Sequence, residues 1–177
     1  MDAVEALARE APLDLETIFH AQYERVARVV ATVLRDPARA EELAVEVFLR
    51  WSKNPDAQGE QAEGWLYRTA VRIGLDELRR QERRRRYEGM LHLFRTAPTP
   101  EDIRSSNEDR GRVHAVLATL NARQAGMLVL RSQGFSYDEL ARALKLNPAS
   151  VGTLLGRAQQ AFRKEFLKRY GQDERSR

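Results

Sequence analysis

The stretch GFSYDELARALKLNPASVGTLLGR, residues 134–157, contains the local signals of two helices joined by a tight turn. Ser136 followed three residues later by Glu139 forms a capping box, in which each side chain accepts a hydrogen bond from the other residue's backbone amide. Asn147 and Pro148 then start a second helix, because these residues are favoured at the cap and at the first helical position. This arrangement is typical of a helix-turn-helix, although the spacing alone fits an ordinary helical hairpin nearly as well.

Apolar residues recur at three- and four-residue intervals through most of the remaining chain, which predicts helices. A first helix begins near Leu15 and is ended by Asp36 and Pro37. A second follows, with one apolar face made of Leu43, Ala44, Val47, Phe48 and Trp51. A third runs from about Trp65 into a cluster of arginines, and no segment has the alternation of a strand. The sequence therefore predicts an all-α fold.

The helical periodicity lapses between residues 89 and 109, where the sequence includes two prolines and several small polar residues. Prolines and small polar residues in such a run are typical of a linker. We therefore expect two small helical domains, residues 1–88 and 110–177, joined by a flexible linker at 89–109.

Composition excludes several classes of chemistry. The 177-residue chain has no cysteine, and its three histidines show no metal-ligand spacing. It has no phosphate-binding glycine loop, nucleophile motif or convergent acid and base set. No long apolar run or secretion signal is present. We expect a cytoplasmic protein without membrane insertion, catalytic activity, metal or other cofactor.

The positive charge of the chain is concentrated in one place. Six of the eight residues from Arg79 to Arg86 are arginine, and Glu82 is the single acid among them. Because like charges at this density repel one another, the cluster favours contact with a polyanion over a merely solvated helix face. Nucleic acid is the expected partner.

Three segments in order resemble bacterial sigma factors of the extracytoplasmic-function (ECF) type. ARAEELAVEVFLRW, residues 38–51, is similar to region 2.2 of that family, and GWLYRTAVRIGLDELRRQERRRR, residues 64–86, is similar to region 2.4. LATLNARQAGMLVLRSQGFSYDELARALKLNPASVGTLLGRAQQAFRK, residues 117–164, is similar to region 4. Each segment alone points to the family with modest specificity. The three segments in this order point to it more strongly.

The resemblance implies a dissociable subunit that binds core RNA polymerase and selects promoters. Region 2 would dock on the β′ clamp helices and bind the minus-ten element, capturing an unstacked base. Region 4 would dock on the β flap and place its second helix in the minus-thirty-five major groove. An anti-sigma factor is the expected regulatory partner.

The same resemblance assigns roles to individual residues. Polymerase contacts fall on Glu42, Val45, Glu46, Leu49 and Arg50. Minus-ten DNA contacts fall on Asn54, Gln61, Arg72, Asp76, Arg79, Arg80 and Arg83. Minus-thirty-five DNA contacts fall on Arg123, Ser150, Thr153, Arg157, Gln160, Arg163 and Lys164.

Four positions depart from the family pattern. Val45 stands where the family usually has glutamine, and Arg72 where it has asparagine. Gly152 replaces the first basic residue of the recognition helix, and Lys145 replaces the usual glycine of the turn. A lysine in the left-handed region at that turn would cost about 1–2 kcal/mol.

An alternative interpretation is a helix-turn-helix regulator that never engages polymerase. Such a protein would bind its operator alone, whereas ECF-type proteins generally need the core enzyme. The segment resembling region 2 argues against this alternative, since a repressor does not need an acidic docking helix followed by an arginine-tipped one.

Overall fold

The computed structural model describes residues 14–34, 36–59, 61–93 and 105–171, and these contain α-helices and two short 3₁₀ turns without a strand. The all-α prediction is confirmed. The helices are α1 (Leu15–Val33), α2 (Pro37–Ser52), α3 (Ala62–Leu93), α4 (Ser105–Leu117), α5 (Ala122–Ser132), α6 (Tyr137–Leu144) and α7 (Val151–Tyr170). The 3₁₀ turns are Pro55–Ala57 and Pro148–Ser150. Among the described residues no helix is long and apolar enough to cross a membrane.

The N-terminal three helices pack against one another through the apolar faces that the periodicity predicts. The side chain of Asp36 accepts a hydrogen bond from the amide of Arg39, and Pro37 occupies the first position of α2. Phe48 and Trp51 are fully buried, and the Trp51 indole Nε1 donates to the Ala57 carbonyl at 2.9 Å. This bond ties the end of α2 to the 3₁₀ turn before α3.

The predicted capping box starts α6. Ser136 Oγ accepts from the Glu139 amide at 3.2 Å, and Glu139 Oε2 accepts from the Ser136 amide at 2.7 Å. Lys145 ends the helix in the left-handed region, with φ 53° and ψ 53°. Asn147 caps the 3₁₀ turn, since its side chain accepts from the Ala149 amide, and α7 follows this turn. Two helices with a tight connection are therefore present where the sequence predicts them.

Helix α3 lies between the two halves of the chain, and the buried residues of both halves form one hydrophobic core. It begins at Ala62, earlier than the predicted start near Trp65, and continues to Leu93. Because α4 begins at Ser105, helix extends into the predicted linker from both sides, and residues 94–104 lie outside the described residues. The division into two domains stays a prediction.

Candidate nucleic-acid and protein interfaces

The predicted polymerase-binding residues lie together on the outer face of α2. Leu43, Val47 and Phe48 are buried against the core, as the sequence predicts. Val45 and Leu49 point away from it, with 39% and 51% of their surface exposed. Two large apolar side chains one helical turn apart are therefore left uncovered on this face.

Both acids predicted to contact polymerase, Glu42 and Glu46, are already paired with arginines of α2. Arg50 Nε and Nη2 both donate to Oε1 of Glu46, at 3.0 and 2.6 Å. Arg39 Nη1 donates to Glu42 at 2.7 Å, and this hydrogen bond raises the pKa of Arg39. Because Glu42 and Glu46 are each paired with an arginine, the outer face presents Val45 and Leu49 between two neutralised pairs.

A groove of about 410 Å³ continues this apolar face toward the start of α1. Leu15 and Phe19 of α1 line it opposite Val45, Phe48 and Leu49 of α2. The Phe19 ring packs edge-on against Phe48, with centroids 4.9 Å apart. The groove and the outer face together form one continuous apolar surface, which we call the α2 surface.

The predicted minus-ten residues on α3 lie on one side of the helix and differ in what they contact. Arg72, Asp76, Arg80 and Arg83 are exposed, at intervals of three or four residues that place them on one side. Arg80 forms an i,i+3 ion pair with Glu77 at 3.7 Å. Within the described part of the chain no ion pair involves Arg72 or Arg83, or their neighbours Arg84 and Arg86.

Arg79 lies on the same side of α3, one turn before Arg83 and with its guanidinium 3.7 Å from Asp76, and it binds the C-terminal half. Its Nε donates to the Ala118 carbonyl at 3.1 Å and its Nη2 to the Leu120 carbonyl at 2.9 Å. These carbonyls follow the C-terminus of α4, where the helix dipole favours a cation. In this conformation Arg79 is therefore not free for the phosphate contact that the sequence predicts, because its guanidinium is already hydrogen-bonded within the chain.

Arg68 makes a similar contact that sequence reasoning missed. Its Nη1 donates to the Ala143 carbonyl at 2.6 Å, near the C-terminus of α6, and burial lowers the pKa of Arg68. The two residues are 75 positions apart. No sequence signal could reveal this pair, because every residue carries the same backbone carbonyl.

The loop residues predicted to capture a base lie in different surroundings. Asn54 is half-buried, and its carbonyl accepts from the Ala57 amide inside the 3₁₀ turn. Gln61 is exposed and lines a cavity of about 330 Å³ between the two halves of the chain. Glu63, Arg68 and Glu139 also line this cavity, so its wall is strongly charged.

The predicted minus-thirty-five residues of α7 form a polar, exposed face. Thr153, Arg157, Gln160 and Lys164 recur at three- and four-residue intervals, and Arg163 lies beside them. The opposite face is buried through Val151, Leu155 and Ala158. No ion pair of the described residues involves Arg157, Arg163 or Lys164. Ser150 is half-buried in the turn, and Arg123 is exposed at the start of α5.

The glycines of the α7 face are not required by packing within the chain. A Cβ added to Gly156 would meet open space, and one added to Gly152 would make an ordinary contact with Tyr137 at 3.5 Å. The exposed face of α7 therefore has no side chains at Gly152 and Gly156. Its cations Arg157, Arg163 and Lys164 lie in the middle and C-terminal part of the helix.

Comparison with known proteins shows what this chain is similar to. Residues 18–84 match the model of sigma-70 region 2. The ECF RNA polymerase sigma factor SigE of Mycolicibacterium smegmatis is 27% identical over 150 residues, or 82% of this chain. The chain is therefore similar to ECF-type sigma factors, and its N-terminal half carries the match to sigma-70 region 2.

The chain spans 58% of the length of that SigE relative. The segment matched to sigma-70 region 2 contains the α2 surface from Phe19 onward and all the predicted minus-ten residues. A solved structure, that of the sigma factor RpoE in complex with the anti-sigma factor NepR from Bartonella quintana, aligns with a TM-score of 0.47 and 18% identity. That alignment covers 88% of this chain and 97% of the other.

Proposed function

We propose that this chain binds core RNA polymerase through the α2 surface and directs promoter-specific initiation. The observation that carries the proposal is the exposed pair Val45 and Leu49 between neutralised ion pairs, within the segment matched to sigma-70 region 2. Its relative SigE is named an RNA polymerase sigma factor.

The chemistry of the α2 surface fits a protein partner. Burying apolar area contributes about 25 cal/mol per Å², and apolar anchors surrounded by polar groups are typical of interface centres. The ion pairs of Glu42 and Glu46 can exchange their intramolecular partners for basic residues of the β′ clamp helices. This exchange would orient the two proteins more than it would strengthen their binding, since exposed ion pairs contribute little free energy.

Two cationic faces would contact promoter DNA. The outward side of α3, with Arg72, Arg80 and Arg83, would bind phosphates near the minus-ten element, with Asp76 beside them and Asn54 and Gln61 at the captured base. The α7 face would enter the minus-thirty-five major groove, while Arg123 and Ser150 contact its edge. Because α7 has few long side chains at its N-terminal half, groove shape would carry much of the specificity.

We further propose that residues 1–88 and 110–177 act as separate modules in the initiation complex, each on its own promoter element. The chain would act in the cytoplasm as a regulatory, non-catalytic subunit. An anti-sigma factor would regulate it by covering the polymerase-binding surfaces.

Reconstitution with bacterial core polymerase and mapping of transcript starts tests the proposal. Wild-type protein should form a stable complex and direct starts to a defined promoter set. Leu49→Asp should weaken the complex about thirtyfold, which corresponds to the loss of one interface anchor of about 2 kcal/mol. Glu41→Ala, also exposed on α2 but outside the predicted contacts, is the matched control and should bind like wild type.

Two results would contradict the proposal. One is the absence of both a complex and promoter-specific starts with cognate core enzyme. The other is tight binding of the isolated protein to a specific duplex without polymerase, which would favour the helix-turn-helix regulator instead.

A further inference from the structure

The cavity between the start of α3 and the end of α6 has the size of a small-molecule site. Its volume of about 330 Å³ is at the lower end of the range for such sites, about 300–1,000 Å³. Part of its wall is aromatic, because the buried Tyr67 and Phe135 line it and their rings meet edge to face at 4.7 Å. The small residues Gly64, Ala141 and Ala143 line another part and leave the space open.

Arg68 brings a half-buried cation into this cavity. Its Nη1 donates to the Ala143 carbonyl at 2.6 Å, and its guanidinium has no second hydrogen-bond partner among the described residues. Burial lowers the pKa of Arg68, and no carboxylate of the described residues offsets that effect. A guanidinium that has lost hydration without gaining a carboxylate is stabilised by any anion that reaches its remaining N–H groups.

Gly64 makes the room that this guanidinium occupies. A Cβ placed on Gly64 would lie 3.2 Å from Arg68 Nη1 and 3.0 Å from the carbonyl oxygen of Arg142. The carbonyl belongs to the backbone and cannot rotate away as a side chain could. The start of α3 therefore lies this close to the end of α6, with the Arg68 guanidinium between them, only because residue 64 has no side chain.

Arg142 and Lys145 supply two further cations at the rim of the cavity. Both side chains are exposed, and no ion pair of the described residues involves either of them. Lys145 has φ 53°, where a side chain costs about 1–2 kcal/mol and where the ECF pattern usually has glycine. Strained backbone of this kind clusters at ligand sites. The strain therefore favours a role for the lysine other than stability.

The two acids that line the cavity already have partners. Glu139 Oε1 accepts from Arg25 Nη2 at 2.9 Å, and its Oε2 accepts from the Ser136 amide at 2.7 Å. Glu63 Oε1 accepts from the Gln22 side chain at 2.7 Å. Because Glu139 is matched by an arginine that does not line the cavity, the three lining cations are opposed by Glu63 alone. The lining as a whole is therefore positive.

We propose that this cavity binds a small multivalent anion, held from inside by Arg68 and at the rim by Arg142 and Lys145. Guanidinium groups donate paired hydrogen bonds to phosphate or carboxylate oxygens, and an ammonium adds a point charge. The ligand is a compact metabolite that carries such groups and rests its remaining atoms on the aromatic wall. No residue of the α2 surface or of α7 lines the cavity, so this site goes beyond the proposed binding of polymerase and DNA.

NMR of the full ¹⁵N-labelled chain tests the site directly. Sodium pyrophosphate and sodium citrate, titrated separately at constant ionic strength, should each shift the amide signals of Gly64 and Ala143 until one equivalent is bound. The anion with the higher affinity shows whether the site prefers phosphate or carboxylate groups. Shifts at Arg84 and Arg86 report any anion on the exposed arginine cluster, and the two places are thus resolved in one experiment.

Two variants should weaken pyrophosphate binding in the cavity. Arg68→Met and Lys145→Gly should each raise the dissociation constant about tenfold, equal to about 1.4 kcal/mol, because each removes one charge-assisted contact. Lys145→Gly also relieves backbone strain, so its loss of affinity cannot come from unfolding. Lys53→Gly removes an exposed lysine at the end of α2, and Arg84→Met removes an exposed cation of the cluster. Both controls should keep the wild-type affinity at Gly64.

Three results would overturn the inference. The first is the absence of saturable shifts at Gly64 and Ala143 with either anion at millimolar concentration. The second is a set of shifts confined to the arginine cluster, and the third is wild-type affinity in both Arg68→Met and Lys145→Gly. None of these results bears on the proposed function, because transcription with core polymerase is measured separately.

Discussion

Arginines along one stripe of α3 meet different surroundings. Arg68 and Arg79, the bound arginines, donate to backbone carbonyls of the C-terminal half. Arg72 and Arg83, the exposed arginines, lie within one or two helical turns of them. The arginine side chain is the same in all four, so the acceptors that the fold brings near it decide whether it stabilises the protein or stays available to DNA.

This difference also separates stability from binding. A bound arginine is held by carbonyls at helix ends, which carry partial negative charge and lack partners within their own helix. An exposed arginine contributes little to folding but contributes to the attraction of a phosphate backbone. The predictions below test this separation, from the largest expected effect to the smallest.

Truncating the apolar face by which α3 packs on the core should have the largest effect. Leu75 is fully buried, and Leu75→Ala should lower the free energy of unfolding by about 2–5 kcal/mol through lost burial and a cavity. Urea denaturation measures this change. Arg84→Ala on the exposed part of α3 should stay within about 0.5 kcal/mol of wild type, and equal losses in both variants would contradict the comparison.

Exchanging one bound and one exposed arginine of α3 should give opposite results. Arg79→Met should lower the free energy of unfolding by about 2 kcal/mol, near the lower end of the range for hydrogen bonds to charged groups because the side chain is partly exposed. Arg83→Met should leave stability unchanged and reduce the salt dependence of promoter binding by about one phosphate contact.

Denaturation and salt titration of the polymerase complex measure the two effects. If Arg79→Met left the free energy of unfolding unchanged and reduced the salt dependence of promoter binding as Arg83→Met does, Arg79 would belong functionally with the exposed arginines.

Acid should weaken the link between α6 and α1. The pKa of Glu139 is lowered to about 2, first by the hydrogen bond from the Ser136 amide and then by Arg25. Since the folded protein stabilises the ionised carboxylate, this contribution is fully present above the ordinary pKa of about 4.3 and is lost as the pH falls toward 2.

The free energy of unfolding, measured against pH, should therefore fall more steeply in wild type than in Glu139→Gln across that range. Arg25→Met should show an intermediate slope, because the Ser136 amide still binds the carboxylate. Identical slopes in all three proteins would remove Glu139 from the acid response.

The smallest expected change concerns the turn after α6. Lys145 has φ 53°, where a side chain costs about 1–2 kcal/mol. Lys145→Gly should therefore raise the free energy of unfolding by about 1 kcal/mol after the added backbone entropy of glycine, visible as an increase of about 2–4 °C in Tm. Lys53→Gly, at the end of α2 with φ −92°, should give no increase.

Local sequence signals predict much of this molecule. The Ser136 and Glu139 capping box, the break at Asp36 and Pro37, and the buried face of α2 all appear as expected, because caps and helical periodicity act within one or two turns. The same signals bring Glu42, Val45 and Leu49 onto one exposed face. Their polymerase-binding role, like the DNA-binding roles on α3 and α7, stays a prediction.

Helix limits were less predictable than helix faces. Neither the start of α3 at Ala62 nor the helical residues inside the predicted linker have a strong apolar stripe. The helices predicted from periodicity are therefore shorter than those of the structure. Lys145 adopts a conformation that glycine usually occupies, because the contacts of α6 and α7 on either side outweigh its backbone preference.

The sequence by itself determined the all-α fold, the paired helices around residue 145, the cationic end of α3 and the apolar outer face of α2. Only the tertiary structure decided which arginines remain exposed, and that Gly64, Arg68 and Arg79 join the two halves. The physical reason is that their partners are backbone carbonyls far along the chain. A carbonyl has the same chemistry in every residue, so folding alone selects the one that an arginine meets.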